Sequence, residues 1–168
     1  MTVVKSNTSG IQRAKIVLLG APGVGKTSLV QRFVHSVFSE THKSTLGVKV
    51  DRKTVELDDR TVSLLIWDMH GETDGLDVPA NYLTGAAGGL VVFDRTRPAT
   101  VEVALGLAER LTQASPGAKI FTIGNKADLE ADSSELEVQL RGRVVVDTSA
   151  KSGEGVEELF TNVAVSVS

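Results

Sequence analysis

A chain of 168 residues and 17.8 kDa has room for one domain of ordinary size, so a single site must carry the function. Hydrophobic residues at 41% and charged residues at 23% exclude disorder as the main state, and a formal charge of −3 argues against the basic surface of a nucleic-acid-binding protein. With no cysteine there is no disulfide framework, thiolate metal site, or prenyl or palmitoyl anchor, and no stretch reaches the ~18 apolar residues of a membrane span. Residues 1–5 lack the glycine of a myristoylation signal and the apolar run of a secretory one. A cytoplasmic monomer with no direct membrane anchor and no nucleic-acid partner is expected.

Residues 1–12 are polar and aperiodic and read as a flexible tail, with the folded domain expected over 13–168. Residues 14–19 form a short apolar run that ends in a glycine loop, and Leu29, Val30, Phe33 and Val34 then recur at helical spacing. Residues 46–57 and 61–67 are β-rich runs divided by Asp58-Asp59-Arg60, the turn chemistry of an antiparallel hairpin. Residues 89–93 and 120–123 are unbroken apolar runs, as expected of strands covered on both faces. Between them Ala104, Leu105, Ala108 and Leu111 make a helical stripe, stopped by Pro116-Gly117. Val156, Leu159, Phe160, Val163, Ala164 and Val167 all fall on one face of a final helix. The order predicts an α/β fold with helices on both faces of a mostly parallel sheet of about six strands, one of them antiparallel.

Gly20-Ala21-Pro22-Gly23-Val24-Gly25-Lys26-Thr27 matches G-x-x-x-x-G-K-[ST] in the required place between strand and helix. Glycines let consecutive backbone N–H groups turn inward around phosphate oxygens, and the helix that starts there adds the positive end of its dipole. Lys26 neutralises the β and γ phosphates, and Thr27 offers a hydroxyl to Mg²⁺. Asn125-Lys126-Ala127-Asp128 follows the apolar strand at 120–123, where the carboxyl ends of strands line a crevice. A carboxylate at Asp128 can accept from N1–H and the 2-amino group of guanine, and adenine offers neither donor there. Charged hydrogen bonds contribute about 1.5 to 3 kcal/mol each, so two of them discriminate strongly.

By these motifs the chain resembles the small GTPases of the Ras superfamily, most closely the Rab-like branch, over residues 13–167; a prokaryotic Ras-like protein would also fit. Five motifs stand in order: residues 20–27, Thr45, Asp68-Met69-His70-Gly71, residues 125–128, and Ser149-Ala150-Lys151. Thr45 lies nineteen residues after Lys26, the family's interval, and Ser44-Thr45-Leu46-Gly47-Val48 with Leu65-Ile66-Trp67-Asp68 is similar to the Rab switches. The resemblance implies a P-loop small G domain that binds GTP or GDP with Mg²⁺. Gly23, Val24, Gly25, Lys26, Thr27 and Ser28 would hold the phosphates, and Thr27, Thr45 and Asp68 the metal. Asn125, Lys126, Asp128, Ser149, Ala150 and Lys151 would hold the base. Phe38 would cover the guanine edge-on by the family's register, although by pattern alone a Phe beside Phe33 and Val34 is more often core. Lys26, Thr45, Gly71 and Glu72 would form the catalytic set. Effectors, exchange factors and activating proteins would read residues 38–50 and 70–84, which order around the γ-phosphate and relax after hydrolysis.

The sequence also departs from the family. Glu72 stands where a water-positioning glutamine is usual, and a second negative charge ~5 Å from the γ-phosphate costs roughly 3 kcal/mol at an effective dielectric near 20. Slow hydrolysis is therefore expected. Pro22 either obstructs an incoming arginine finger or only stiffens its loop. Met69 and His70 replace small residues, which predicts a bulky second switch, and His70 reads as a structural or solvated histidine rather than a base. The family's cysteine-ended tail has no counterpart before Ser168. Two other readings stay open at this stage: a GTP/GDP-binding interaction module with little or no turnover, and an ATP-dependent P-loop enzyme, which Asn125 and Asp128 disfavour.

Overall fold

The computed structural model describes residues 10–35, 47–70 and 78–168. Its elements run β1 (Gln12–Leu19), α1 (Lys26–His35), β2 (Gly47–Glu56), β3 (Thr61–His70), α2 (Ala80–Leu83), β4 (Gly88–Asp94), α3 (Ala99–Ala114), β5 (Lys119–Asn125), α4 (Ser133–Leu140), β6 (Val146–Asp147) and α5 (Val156–Val167). This is the order expected from the sequence. The six strands form one sheet in the order β2-β3-β1-β4-β5-β6, in which β2 pairs antiparallel with β3 and every other pairing is parallel.

The apolar runs explain the layering. Side chains alternate across a strand, so a strand covered on both faces must be apolar at every position. In β1, Ile16 and Leu18 face a core shared with Leu29, Phe33 and Phe160 of α1 and α5, and Val17 and Leu19 face a second core with Leu107 and Leu111 of α3. β4 is buried along its whole length, with Leu90 and Val92 in the first core and Val91 and Phe93 in the second. These two central strands therefore carry helices on both sides.

Four expectations change in detail. The hairpin turn is closed by the Leu57 N–H donating to the Arg60 carbonyl at 2.8 Å, and β3 continues to His70, which carries Asp68 and Met69 within a strand. Met69 is buried in the second core, so its bulk serves packing and does not enlarge the second switch. β5 is fully buried only at Ile123, Gly124 and Asn125, because β6 supplies just two residues to pair beside it. The inward stripe of α3 is Val101, Ala104, Leu107 and Leu111, with Leu105 and Ala108 half-buried: the helix is rolled about its axis from the face the pattern suggested.

The rings of Phe33 and Phe160 stack at 4.0 Å with an interplanar angle of 4°, which fastens the helix that begins at Lys26 to the C-terminal helix. Phe160 is fully buried. Truncating such a ring loses its transfer energy and leaves a cavity, so Phe160→Ala is expected to destabilise the domain by about 3–5 kcal/mol. Denaturant unfolding measures this, and a loss below ~1 kcal/mol would mean that the site collapses around the missing ring.

Candidate functional site

Reversal of strand order at β1 opens a crevice at the carboxyl ends of β1 and β4, the place where open α/β sheets bind ligands. Residues 20–25 leave β1 there and turn into α1, whose first residue is Lys26. The Lys26 ammonium is buried and donates to the carbonyls of Gly20 at 2.9 Å and Ala21 at 3.1 Å. Burial lowers its pKa, the nearby Asp68 carboxylate pushes it up, and the Arg97 guanidinium pushes it down. Two neutral carbonyls are modest partners for a buried cation, so an anion in the crevice would be a stronger one. Gly25 has φ of +103°, and a Cβ there would overlap the amide nitrogen of Asn125. Only glycine lets the loop lie this close to its neighbour.

Thr27 and Ser28 are half-buried in the first turn of α1, and Asp68 is 1% exposed at the carboxyl-terminal part of β3. The Thr27 hydroxyl and the Asp68 carboxylate are hard oxygen donors. Among the described residues no group of three or more His, Cys, Asp or Glu could hold an ion by itself. This donor set fits Mg²⁺, which takes one or two protein oxygens and fills its remaining sites with phosphate and water.

The second motif is joined to the first by one side chain. Asn125 is buried, its Nδ2 donates to the Val24 carbonyl at 2.9 Å, and its Oδ1 accepts from the Thr148 hydroxyl at 3.1 Å and the Ala150 N–H at 3.3 Å. Asn125 thus works as a strut that locks residues 20–27, 125–128 and 149–151 together. Ser149 donates to Asp128 Oδ1 at 2.7 Å and turns that exposed carboxylate into a fixed orientation. The Lys126 backbone sits in the left-handed region with φ of +66°, and its ammonium lies 2.7 Å from Asp94 Oδ2. Arg32 of α1 donates to the Ala150 carbonyl at 2.8 Å and to that of Lys151, so the helix after the first loop also supports the third.

Of the residues singled out in the sequence, Gly23, Val24, Gly25, Lys26, Thr27, Ser28, Asp68, Asn125, Lys126, Asp128, Ser149, Ala150 and Lys151 lie in these loops, the first turn of α1 and the strand ends beside them. Phe38, Thr45, Gly71 and Glu72 lie outside the described residues, as does the greater part of the surface assigned to partners. The sequence reading missed Asp94, Arg97, Thr148 and Arg32. A signal existed for Asp94, an acidic residue that closes a wholly apolar strand at the carboxyl edge of the sheet.

Burial by itself would push the Asp94 carboxyl up. Hydrogen bonds from Lys126, from the hydroxyl and backbone N–H of Thr96, and from Arg97 outweigh it and bring the pKa from 3.8 down to about 2. A group whose pKa is depressed on folding contributes stability that is present above its unfolded pKa and lost as pH falls through the folded one. Asp94→Asn is therefore expected to cost roughly 2 kcal/mol near neutral pH, at about 1.4 kcal/mol per pKa unit. That difference should shrink between pH 4 and pH 2. Urea unfolding of both proteins across that range checks it, and a gap independent of pH would assign the loss to packing.

Comparison with known proteins agrees with the geometry. The sequence model of the Ras family matches residues 15–168. The Ras-related proteins RABF2a and RABF2b of Arabidopsis thaliana are each 37% identical over 158 residues, covering 90% of this chain and 79% of the relative. The Ras-related protein RABA2a of the same plant is 35% identical over 156 residues, covering 89% of this chain and 72% of the relative. A glycine-rich loop between strand and helix, a second loop locked to it through Asn125, and a match over almost the whole chain lead to one conclusion: the protein belongs to the Ras family, as a Rab-like small GTPase that binds guanine nucleotide.

Proposed function

We propose that the protein is a Mg²⁺-dependent switch that hydrolyses GTP slowly, by in-line attack of water on the γ-phosphoryl group. The observation that carries this reading is the buried Lys26 ammonium, resting on the Gly20 and Ala21 carbonyls beside the buried Asp68 carboxylate at the mouth of the crevice. Lys26 would bind the β and γ phosphates and hold charge that develops during transfer, while the N–H groups of residues 23–27 orient the phosphate chain. Mg²⁺, when bound by Thr27, Asp68 and Thr45, supplies charge neutralisation on the same phosphates. Thr45 and Gly71 would place the γ-phosphoryl group, and Glu72 would sit beside the attacking water.

Asp128 would read guanine through paired charged hydrogen bonds, with Ser149 holding the carboxylate in line. Asn125 would act indirectly, by keeping base loop and phosphate loop in register. Ala150 and Lys151 would close around the base edge, and Phe38 would cover it. Regulators and effectors come with membership of the family; on this chain they would read residues 38–50 and 70–84. Among the described residues no helix is long and apolar enough to cross a membrane.

Two measurements test the assignment. Asp128→Asn replaces one acceptor of the pair by a donor, so preference for GDP over other nucleoside diphosphates should fall by roughly 100-fold or more in calorimetric titration. An unaltered preference overturns the base-site assignment. Glu72→Gln removes a negative charge from beside the γ-phosphate and should accelerate single-turnover GTP cleavage roughly ten-fold or more, with Lys26→Ala as the blank. Equal rates in wild type and Glu72→Gln would mean that this side chain does not face the phosphate.

A further inference from the structure

Arg97 follows β4 by three residues and reaches across the crevice to the phosphate loop. Its Nε donates to Asp94 Oδ2 at 3.0 Å, and its Nη2 donates to the Pro22 carbonyl at 3.0 Å. The same Nη2 would stand 3.3 Å from a Cβ on Gly23, so the guanidinium lies directly against the loop. Asp94 is buried and fixed from several sides, which anchors one edge of the guanidinium while the other edge grips the carbonyl.

The carbonyl of Pro22 and the N–H of Gly23 belong to the same peptide unit. That unit is trans, as are all peptide bonds in the described structure, so its C=O and N–H point in opposite directions. A cation that holds the carbonyl on the outer side of the loop therefore directs the N–H away from itself. Gly23 sits at φ of +75°, in a region where a glycine-flanked peptide rotates with little steric resistance, so its orientation needs an external hold. Pro22 raises the demand further: proline has no N–H, so position 22 adds no donor of its own. A charge-assisted bond to the carbonyl also polarises the peptide and strengthens its N–H as a donor.

We propose that Arg97 is a positioning residue, which by gripping the Pro22 carbonyl aims and polarises the Gly23 N–H as a donor to the nucleotide phosphates. This rests on residues 20–27 being the phosphate cradle. It makes Pro22 and Arg97 a matched pair, in which the loop gives up one donor and an arginine from the same chain secures the next. Arg97 also raises the local positive field beside Lys26, in keeping with an anion in the crevice.

The competing explanation is that Arg97 only steadies Asp94, which in turn holds Lys126 in the base loop. Ligands with and without phosphate separate the two. GDP and guanosine affinities would be measured by calorimetry and competition, with phosphorus NMR of bound GDP, for wild type, Arg97→Ala, Arg97→Lys and Asp94→Asn. Arg97→Ala should weaken GDP roughly ten-fold, change guanosine by less than about two-fold and move the bound phosphate resonances. Arg97→Lys, which can still offer one charged donor to the carbonyl, should recover part of that loss. Asp94→Asn should weaken both ligands. Equal loss of GDP and guanosine in Arg97→Ala overturns the proposal, as does unchanged GDP affinity with unshifted phosphate resonances. Should Arg97→Ala fail to fold, Arg97→Lys carries the same comparison: a smaller, GDP-selective loss supports the proposal, and an equal or absent loss overturns it. Failure of the wild type to bind GDP would instead remove the cradle assignment beneath it.

Discussion

One buried amide joins everything that the crevice requires. Asn125 closes β5 with its side chain excluded from water, and its donor and acceptor are satisfied by the loop after β1 and the segment after β6. A buried amide left without partners costs about 1–3 kcal/mol per group, so these loops cannot drift from Asn125 without losing that energy. Two segments more than a hundred residues apart in sequence thereby share a single geometry. On the function proposed above, this fixed relation between the two loops would let a nucleotide be gripped at both ends.

A second knot lies on the neighbouring strand. Asp94 gathers Lys126, Arg97 and Thr96 at the end of β4, next to the crevice and opposite the phosphate loop. Buried carboxylates of this sort are tolerable only when charged and hydrogen-bonding partners offset their lost hydration, and here the partners dominate. Of these cations, Arg97 also contributes to the positive field around Lys26. Arg97 thus links the Asp94 ion cluster to the loop after β1 through the Pro22 carbonyl.

Legibility in the sequence followed the range of the interactions. The loop at residues 20–27 could be read because its chemistry is local: glycines, a lysine and a threonine in one turn between a strand and a helix. The inward face of α5 was legible because one layer of packing dominates each position. The face of α3 was less so, since Leu105 and Leu107 are chemically equivalent and only packing of the helix onto the second core selects Leu107 for full burial. Met69 reads as switch bulk from its motif alone, whereas β3 extends through it and its register opposite Val48 makes it core.

The sequence by itself determined the fold class, the strand and helix order, the guanine-nucleotide chemistry and the family, because each is encoded in short-range spacing or in motifs that keep their meaning wherever they fold. Tertiary structure alone decided how the parts cooperate: that Asn125 is a strut between loops, that Ser149 orients Asp128, and that Arg97 reaches Pro22 across seventy-five positions of sequence. Those contacts depend on which strands lie side by side. The placement of β4 and β5 beside β1 is set by both cores burying their apolar faces at once, and no local pattern records that requirement.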